Sequence, residues 1–413
     1  MTMSILHRTR NISVLMPRYV ERFRCTGSSC EDTCCHGWPI HFDKKTYKAY
    51  RAHGQANATM RPLSALIQRM DDPPEPGMYA VLPMSPVTGG CPAHQNGMCA
   101  IQSSAGESYL SNTCHNFPRN TLRMNGQFEQ ALTLSCPEAA RLALLAEDAF
   151  DFIEAPVSVR ESSVRAIRTR DGFSAEVMGE ARIFSINLVR TRELPLWQRL
   201  SLLGTFCQAL EACLDSGQDT VQDLIGDFVR AIESGELTRD LDAVQPSHEA
   251  QAMVFATLWA SRGFSAASPF QANQMAGIAA GLGGDTSGQV SGADLAAAYR
   301  RGLARLDQAL EAAPWLLEHY LLNEMFIHQF PIAWLGPYDA YLQLVARFGL
   351  LRLLLAAQCN TDDELPSAAA LAATVQLQSR RFQHDPQFAA EITRSLRSSG
   401  WADPVKVDTL LRT

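Results

Sequence analysis

The sequence lacks the long apolar runs and basic blocks that would assign it to a membrane or to nucleic acid. No stretch of about 18 consecutive apolar residues occurs, so no membrane span is expected, although residues 350–357 are strongly apolar. Residues 1–16 contain no apolar core of signal-peptide length. The net charge is −7 and Lys and Arg form no block, which argues against nucleic-acid binding. We therefore expect a cytoplasmic protein, in which thiols stay reduced.

The chain also has few charged residues, and its apolar fraction is large. Charged residues make up 19% of the 413 residues and apolar residues 46%. This composition suits packed interiors and argues against an intrinsically disordered protein. A chain of this length usually forms two or three domains.

Cysteine is the residue that the first third of the chain has in abundance. Cys25, Cys30, Cys34 and Cys35 fall within eleven residues, and four more follow at Cys91, Cys99, Cys114 and Cys136. In a reducing compartment, thiols at this density indicate a soft metal rather than disulfides. The spacing matches neither the C-x₂-C pair of zinc ribbons nor the C-x₃-C-x₂-C triplet of radical S-adenosylmethionine enzymes. One four-cysteine site with four other thiols and two four-ligand sites both remain compatible with the pattern.

The vicinal pair Cys34-Cys35 limits how a metal can be held. Adjacent side chains point in different directions in most backbone conformations, so both reach one metal only with an unusual local geometry. One of the two can instead face a second site or the core.

A β-hairpin is predicted around Asn125-Gly126, because this pair favours a type I′ turn between two strand-like segments. The hairpin leads to Ser135-Cys136-Pro137, and Pro137 is suited to begin a helix, which we expect to reach about Ile153. Cys136 would then lie at a strand-to-helix junction, where backbone N–H groups favour the thiolate.

The pattern as a whole predicts a mainly α protein, with a Cys-rich α+β module followed by an all-helical domain. The expected parts are a variable N-terminal extension (1–15), a Cys-rich metal-cluster module (16–153) and a helical domain (154–413) that begins with a polar connector (155–175). In the Cys-rich module, Asp43 is predicted to cap a helix that reaches about Ala52. Apolar positions recur with helical spacing from about residue 184 onward. They predict seven helices, within residues 194–214, 221–232, 250–259, 295–312, 315–330, 338–357 and 368–377, and the glycines and serines of residues 281–292 predict a loop. Three cysteines in this pattern are expected to be buried core residues: Cys207, Cys213 and Cys359.

A series of motifs runs in order through residues 16–150. They are Met16-Pro-Arg-Tyr-Val20, Phe23-x-Cys25, Cys30–Trp38, Asp43–Tyr50, Cys91-Pro92, Met98–Gln102, Cys114–Arg119 and Leu132–Arg141, with Glu318–Asn323 and Phe330-Pro331 further on. Through these motifs the chain resembles the flagellin lysine-N-methylase family. The cysteine framework alone is shared with a broader group of zinc- or iron-chelating proteins.

This resemblance implies methyl transfer from S-adenosylmethionine to the ε-amine of lysines on flagellin. It also implies a [4Fe–4S] cluster held by cysteines, with zinc as the alternative, and all eight cysteines of the module are candidate ligands. No Gly-rich loop follows an apolar strand to open a βαβ unit, so a Rossmann-type domain is not expected. S-adenosylmethionine would then bind in a different kind of site.

Lysine methylation requires a neutral amine, whose reference pKa is about 10.4, so the site must desolvate the amine or supply a base. The candidate catalytic residues beside the cysteines are Glu31, Asp32 and His36, with His115 and Glu138 as further candidate bases. Candidate cofactor-binding residues are Trp38, Arg119 and Glu138. For each of them a capping, packing or surface role is the alternative. The helical domain would complete the substrate cleft, with Glu318, His319, Tyr320 and Asn323 as candidate lining residues.

Two other classes of protein remain compatible with the cysteines. One is a non-catalytic zinc- or iron-binding module, and the other is an iron–sulfur protein that transfers electrons. In the preferred interpretation the partner is flagellin, and neither nucleic acid nor membrane is expected as a partner.

Overall fold

A computed structural model describes the chain in ten segments, which are residues 6–58, 60–124, 126–167, 174–217, 220–239, 241–261, 268–284, 290–332, 336–383 and 385–413. The strands in them are β1 (Thr9–Pro17), β2 (Ile40–Phe42), β3 (Gln68–Arg69), β4 (Ala80–Leu82), β5 (His94–Gln95), β6 (Met98–Cys99), β7 (Arg119–Met124), β8 (Gln127–Leu132), β9 (Phe152–Arg160) and β10 (Arg165–Ala166).

Helices predominate in the same segments, as the sequence predicts. They are α1 (Arg18–Arg22), α2 (Lys44–Ala56), α3 (Met60–Leu66), α4 (Ala100–Ala105), α5 (Asn112–Asn116), α6 (Pro137–Leu145), α7 (Ala175–Val189), α8 (Leu196–Ser216), α9 (Val221–Glu233), α10 (His248–Ala260), α11 (Pro269–Gly281), α12 (Gly292–Leu310), α13 (Leu316–Ile327), α14 (Pro337–Gln358), α15 (Ala368–Phe382), α16 (Pro386–Ser398) and α17 (Pro404–Leu411).

The largest sheet has five strands in the order β10-β7-β8-β1-β9. Strands β7 and β8 form the predicted hairpin, in which Met124 pairs with Gln127. Gly126 has φ +79°, a conformation that glycine adopts without strain, and Asn125 lies outside the described residues. The chain enters α6 at Pro137 as predicted, but this helix ends at Leu145 rather than near residue 153.

The expected N-terminal extension and connector are wrong where they cover β1 and β9. These two strands pair antiparallel along nine residues, from Thr9 opposite Arg160 to Pro17 opposite Phe152. In β1 every second side chain, such as Val14, points into the core, which is the period of a strand with one buried face. The boundary expected between residues 153 and 154 therefore falls inside β9.

A smaller unit with its own apolar core contains β2, β3 and β4 in one sheet and β5 and β6 in another. Asp43 caps α2 as predicted, since its carboxylate accepts a hydrogen bond of 2.8 Å from the backbone N–H of Thr46. The Tyr50 ring is fully buried, and its hydroxyl donates to the carbonyl of Tyr109. This unit carries Cys91 and Cys99 of the second group of cysteines.

Helix α14 lies at the centre of the helical part of the molecule. It is long and apolar enough to cross a membrane, but 89% of its most apolar window is buried by the rest of the fold, as in the core helix of a soluble protein. Neighbouring helices approach its backbone closely: a Cβ on Gly302 would stand 2.2 Å from the carbonyl oxygen of Ala356, and one on Gly281 would stand 1.9 Å from that of Ala357.

Seven helices were predicted from apolar periodicity, and all seven are confirmed within a few residues: α8, α9, α10, α12, α13, α14 and α15. Helices α7, α11, α16 and α17 were not among them. The loop expected at residues 281–292 is shorter at both ends, because Gly281 belongs to α11 and Gly292 begins α12. Its central residues 285–289 lie outside the described residues.

One continuous apolar core joins the five-stranded sheet, α6 and the long helices. At its centre the Tyr19 hydroxyl donates to the carbonyl of Leu132 at 3.2 Å and accepts from the side-chain amide of Asn323 at 2.6 Å. The candidate cleft residues on α13 are part of this core. Glu318 pairs with Arg199, and the imidazole of His319 contacts the carbonyl of Ala143. The prediction that they line a cleft is therefore wrong.

Glu324 forms a buried ion pair in this core. Its side chain is 3% exposed, and its Oε2 atom lies 3.0 Å from Nη1 of Arg347. Burial by itself would raise the pKa of Glu324, but hydrogen bonds and positive charge from His328 and Arg347 lower it to about 2. Gln383 on α15 donates a further bond to this carboxylate.

The substitution Glu324→Gln should lower the free energy of unfolding at pH 7 by about 3 kcal/mol, because it leaves Arg347 buried without its counter-ion. The folded-state pKa of Glu324 is depressed from its ordinary value of 4.5 to about 2. The stabilisation is therefore complete above pH 4.5 and is lost as the pH falls towards 2. Urea unfolding of both proteins across this range should show their difference shrinking.

The matched control is Asp339→Asn, because the ion pair between Asp339 and Arg397 is partly exposed to solvent. We expect a loss of less than about 1 kcal/mol for this variant. Equal losses in the two variants would contradict the importance of the buried pair.

Candidate functional site

The first four cysteines lie on an irregular segment between α1 and β2, with a single 3₁₀ turn at Gly27–Ser29. Cys25 is exposed, whereas Cys30, Cys34 and Cys35 are half-buried. All eleven cysteines of the chain are free thiols. The shape of this segment is determined less by its own hydrogen bonds than by helices from the far end of the chain.

Arg380, in the last turn of α15, binds the backbone of the segment that carries the first four cysteines. Its guanidinium donates to three backbone carbonyls, those of Asp32 at 3.2 Å, Thr33 at 2.9 Å and His36 at 3.0 Å. The same group lies over the Trp38 ring, 5.4 Å from the ring centroid. A planar fork of donors suits this arrangement better than an ammonium group does. Nothing in the sequence around Arg380 indicates this role.

Asp32 is the buried anchor of the same segment, with only 1% of its surface exposed. Its carboxylate accepts hydrogen bonds from Gln376 at 2.8 Å and from Gln271 at 3.1 Å, and it lies 3.3 Å from the Arg380 guanidinium. Ser268 donates a further bond of 3.2 Å. Every contact comes from the helical domain, so a carboxylate expected to be a base is held as a structural acceptor.

Glu31 and Glu138 share one partner. Arg141 forms an ion pair with Glu31 and another with Glu138, whose Oε2 atom lies 2.8 Å from its Nη2 atom. Glu138 lies in the first turn of α6, where a negative charge complements the helix dipole. These pairs bring the segment around Cys30 against the beginning of α6 at Cys136.

The two histidines that follow cysteines have different surroundings. The His36 ring packs against Gly90 and lies 6.1 Å from the His94 ring, and its buried Nδ1 atom has no hydrogen-bond partner among the described residues. Nδ1 of His115 lies 3.1 Å from a carboxylate oxygen of Glu107. Burial lowers the pKa of His115.

The candidate cofactor-binding residues Trp38 and Arg119 lie near the thiols. The Trp38 ring is half-buried between Arg380 and Phe117, whose ring centroid is 5.5 Å away. The Arg119 guanidinium lies 5.1 Å from the centroid of the Phe23 ring. None of the described acidic residues forms an ion pair with Arg119, so this guanidinium is available to a ligand.

The second four cysteines are placed by short elements. The backbone N–H of Cys91 donates to the carbonyl of Cys35 at 2.7 Å, and Cys99 pairs with His94 across β5 and β6. Cys114 lies in the first turn of α5, where the Ser111 hydroxyl accepts from its N–H at 3.1 Å. Cys136 directly precedes α6. The structure thus folds residues 91–136 back onto the first segment.

The backbone N–H groups at the start of α6 favour the thiolate of Cys136, as expected, but they do not decide its pKa. Backbone N–H groups of Ala139 and Glu138 do point at its sulfur, and they lower its pKa. Burial of the sulfur outweighs them and raises the pKa of Cys136 to about 11. At this junction desolvation is stronger than the hydrogen bonds of the helix N-terminus.

The vicinal thiols interact directly. The Cys34 thiol donates a hydrogen bond to Cys35, which lowers the pKa of Cys35 and raises that of Cys34. Cys207 and Cys359 are fully buried among the helices, as predicted, and Cys213 is half-buried beside Thr220.

Among the residues that the structure describes, no three His, Cys, Asp or Glu side chains converge on a common metal-binding point. The donor set nevertheless fits a thiophilic group in its chemistry. Burial and the neighbouring thiols together raise the pKa of Cys91 to about 11 and that of Cys114 to about 12. A bound cation would favour the thiolates that this environment disfavours. Binding of a metal ion or cluster would require the cysteine sulfur atoms to turn towards a shared point.

The clamp on the cysteine segment can be tested in the metal-free protein. Arg380→Lys keeps the positive charge but loses the planar fork that joins three carbonyls. Amide hydrogen exchange in peptides covering residues 30–38 should become roughly tenfold faster, which corresponds to about 1.4 kcal/mol of local stability.

The matched control is Arg397→Lys, which changes an exposed ion pair on α16. It should leave exchange at residues 30–38 unchanged. Exchange in Arg380→Lys within twofold of the unsubstituted protein would show that the clamp does not hold this segment.

Comparison with known proteins identifies the family. Residues 182–407, more than half of the chain, match the model of the FliB lysine N-methylase C-terminal domain. The lysine-N-methylase of Salmonella typhimurium (strain LT2) is 23% identical over 420 residues, which span 97% of this chain and all of that protein. A lysine-N-methylase of Salmonella choleraesuis is 22% identical over 417 residues, with the same coverage of both chains.

A shorter relative is more similar over the part that it covers. The flagellar biosynthetic protein FliU of Salmonella muenchen is 31% identical over 161 residues, which span 38% of this chain and 91% of that protein. No solved structure matches this chain significantly. The resemblance seen in the sequence motifs is confirmed, and with it the class of enzyme, a protein-lysine methyltransferase. The chain belongs to the FliB lysine N-methylase family.

Proposed function

We propose that this protein transfers methyl groups from S-adenosylmethionine to lysine side chains of flagellin in the cytoplasm. The observation that carries this proposal is the similarity to proteins named lysine-N-methylase along 97% of the chain. A flagellar substrate is supported by the relative named flagellar biosynthetic protein FliU. The net charge of −7 suits a cationic lysine substrate, because long-range attraction assists encounter.

We further propose that cysteines of the Cys-rich region hold a [4Fe–4S] cluster, for which zinc is the alternative. The free thiols and the burial of Cys91 and Cys136 support a thiophilic group at this place. When bound, such a cluster supplies a Lewis-acidic iron. Free thiols in the cysteine segment also agree with a reducing compartment.

The substrate amine must lose a proton before methyl transfer, because an ammonium has no lone pair. Glu31, Asp32 and Glu138 each form an ion pair with an arginine, and both carboxylate oxygens of Asp32 also accept hydrogen bonds. Nδ1 of His36 is buried and has no partner among the described residues. His36 is therefore the preferred base among the sequence candidates.

Arg119 is the preferred anchor for the carboxylate of S-adenosylmethionine. Its guanidinium has no described ion-pair partner, and it lies near the sulfur atoms of Cys25 and Cys136. Charge-assisted hydrogen bonds to a carboxylate are among the strongest that a protein makes. The anchor and the proposed cluster would then act on the same end of the cofactor.

The activity can be measured directly with purified protein, S-adenosylmethionine and flagellin from the same organism. We expect mass increases of about 14 Da for each methyl group added to a lysine. The shift should disappear without S-adenosylmethionine and with flagellin whose lysines have been acetylated.

The two alternative classes, an electron-transfer protein and a non-catalytic metal-binding module, would give different outcomes in this assay. Absorbance near about 400 nm together with no mass shift would contradict methylation and indicate electron transfer. A colourless, zinc-loaded protein that gives no shift would indicate a non-catalytic metal-binding module.

Arg119→Ala should raise the KM for S-adenosylmethionine by roughly tenfold, because it removes a charge-assisted hydrogen bond to the carboxylate. The KM for flagellin should stay unchanged. Steady-state kinetics with each substrate varied in turn provides the measurement.

The control is Arg123→Ala, an exposed arginine on the same strand. Equal effects of the two substitutions, or an unchanged KM for S-adenosylmethionine in Arg119→Ala, would remove Arg119 from the cofactor site.

A further inference from the structure

Residues 133–136, between β8 and α6, form a buried junction that belongs to neither a helix nor a strand. Each of the four residues is less than a tenth exposed. Buried backbone groups outside regular structure need hydrogen-bond partners from elsewhere in the fold. The backbone N–H of Thr133 donates to the carbonyl of Pro118 at 2.9 Å. The junction therefore lies beside Arg119, the next residue along the chain.

Gln376 on α15 joins this junction to the cysteine segment at residues 30–38. Its Nε2 atom donates to the carbonyl of Ser135 at 3.0 Å and to Oδ2 of Asp32 at 2.8 Å. Both partners are acceptors, so the nitrogen of the amide must face them. Gln376 is only 1% exposed. One buried amide group thus binds both segments, and we call it the bridge.

The same side chain leaves one of its atoms unpaired. Oε1 of Gln376 is buried and has no hydrogen-bond partner among the described residues. A buried amide oxygen without a partner lowers stability, and native proteins have few of them. An apolar side chain would avoid this loss if packing were the only role of the position. The two bonds made by the nitrogen explain why an amide stands here.

The bridge belongs to a polar face of α15 that also contains Arg380 and Gln383. Residues spaced by three and four positions project from the same side of a helix. Arg380 bonds carbonyl groups of the cysteine segment. Gln383 accepts a hydrogen bond from the Thr133 hydroxyl of the junction. Gln376 is the member of this face whose hydrogen bonds reach both segments.

Arg141 provides a second connection, at the surface. It forms ion pairs with Glu31 of the cysteine segment and with Glu138 in the first turn of α6. The Arg141 side chain is 35% exposed, and ion pairs between exposed groups contribute little to stability. The buried bridge is therefore the contact expected to fix how far apart the two segments lie.

We propose that Gln376 is a positioning residue for methyl transfer, which fixes the distance between the cysteine segment and the junction beside Arg119. The proposal rests on the proposed function, which places the candidate base His36 in the cysteine segment and assigns the cofactor carboxylate to Arg119. Gln376 acts through the two backbones that carry or adjoin these groups. A displacement of about 1 Å at reacting groups can slow a reaction on the order of a hundredfold. Loss of the bridge should therefore slow the reaction more than it weakens substrate binding.

The test compares three variants of the full-length protein, all on α15. Gln376→Leu removes both bonds of the bridge and leaves a side chain of similar size. Gln378→Leu is the matched control, because Gln378 is also 1% exposed and its amide bonds the carbonyl of Arg347 on α14 at 2.8 Å. Arg380→Lys weakens the hold on the cysteine segment alone.

We expect Gln376→Leu to lower kcat by roughly ten- to a hundredfold. The KM values for S-adenosylmethionine and for flagellin should each stay within about twofold of those of the unsubstituted protein, because the residues that would contact them are unchanged. Gln378→Leu should keep kcat within about twofold as well. An unchanged kcat in folded Gln376→Leu, or equal losses of kcat in the two leucine variants, would overturn the proposal.

Amide hydrogen exchange of the protein alone reports on the bridge independently of activity. Peptides covering residues 30–38 and peptides covering residues 133–136 should both exchange roughly tenfold faster in Gln376→Leu. Arg380→Lys should accelerate exchange only in the first set of peptides, and Gln378→Leu in neither set. Faster exchange of one set alone in Gln376→Leu would refute the bridge.

If Gln376→Leu fails to fold, the unsubstituted protein decides the question. Both sets of peptides should lose their protection at the same denaturant concentration, and separate openings would overturn the bridge. An unsubstituted protein without methyl transfer would refute the proposed function, while hydrogen exchange still decides whether the bridge exists. An active protein whose kcat survives in Gln376→Leu would refute only the positioning role.

Discussion

The buried carboxylate of Asp32 is the constraint on which the cysteine segment depends. A charge buried to this degree is tolerated only when it is fully bonded, and every partner of Asp32 comes from the helical domain. Arg380 supplies the opposite charge and also bonds the neighbouring carbonyls. The segment between Cys30 and Trp38 therefore takes its shape only when helices α11 and α15 are in place. Buried polar contacts therefore join the Cys-rich region to the helical domain.

This dependence connects the residues of the family match with the segment that carries the first four cysteines. The matched residues, 182–407, contain none of the eight candidate ligands. They do contain Gln271, Gln376 and Arg380, which hold the ligand-bearing segment. The helical domain thus contributes to the candidate site indirectly. It fixes the backbone of the cysteine segment, which forms little regular secondary structure of its own. The continuous core around Tyr19 and Asn323 adds a second, apolar connection between the same two parts.

Local signals in the sequence predicted the elements that depend on local physics. Asp43 as a helix cap, Gly126 in a tight turn and the apolar periodicity of the long helices were all visible without the fold. Strand β1 was missed because its partner β9 lies about 140 residues away, and pairing at that distance leaves no mark on a short alternating segment. The cysteines were visible as a site, but their supports were not. Arg380 looks like any basic residue at a helix C-terminus, and only the tertiary fold brings it to the carbonyls it binds.

The raised pKa values of the thiols give a physical reason why a bound cation would stabilise the Cys-rich region. Burial raises the pKa of Cys91, Cys114 and Cys136 above that of a free thiol, so near neutral pH these groups are protonated and are weak hydrogen-bonding partners. Thiolate ligation would replace these protons by a metal, and the free energy of binding would then be added to that of folding. The helical domain fixes one side of this site through Asp32 and Arg380 without any metal. The small unit, whose core is much smaller, has fewer apolar contacts of its own and gains most from such a bond.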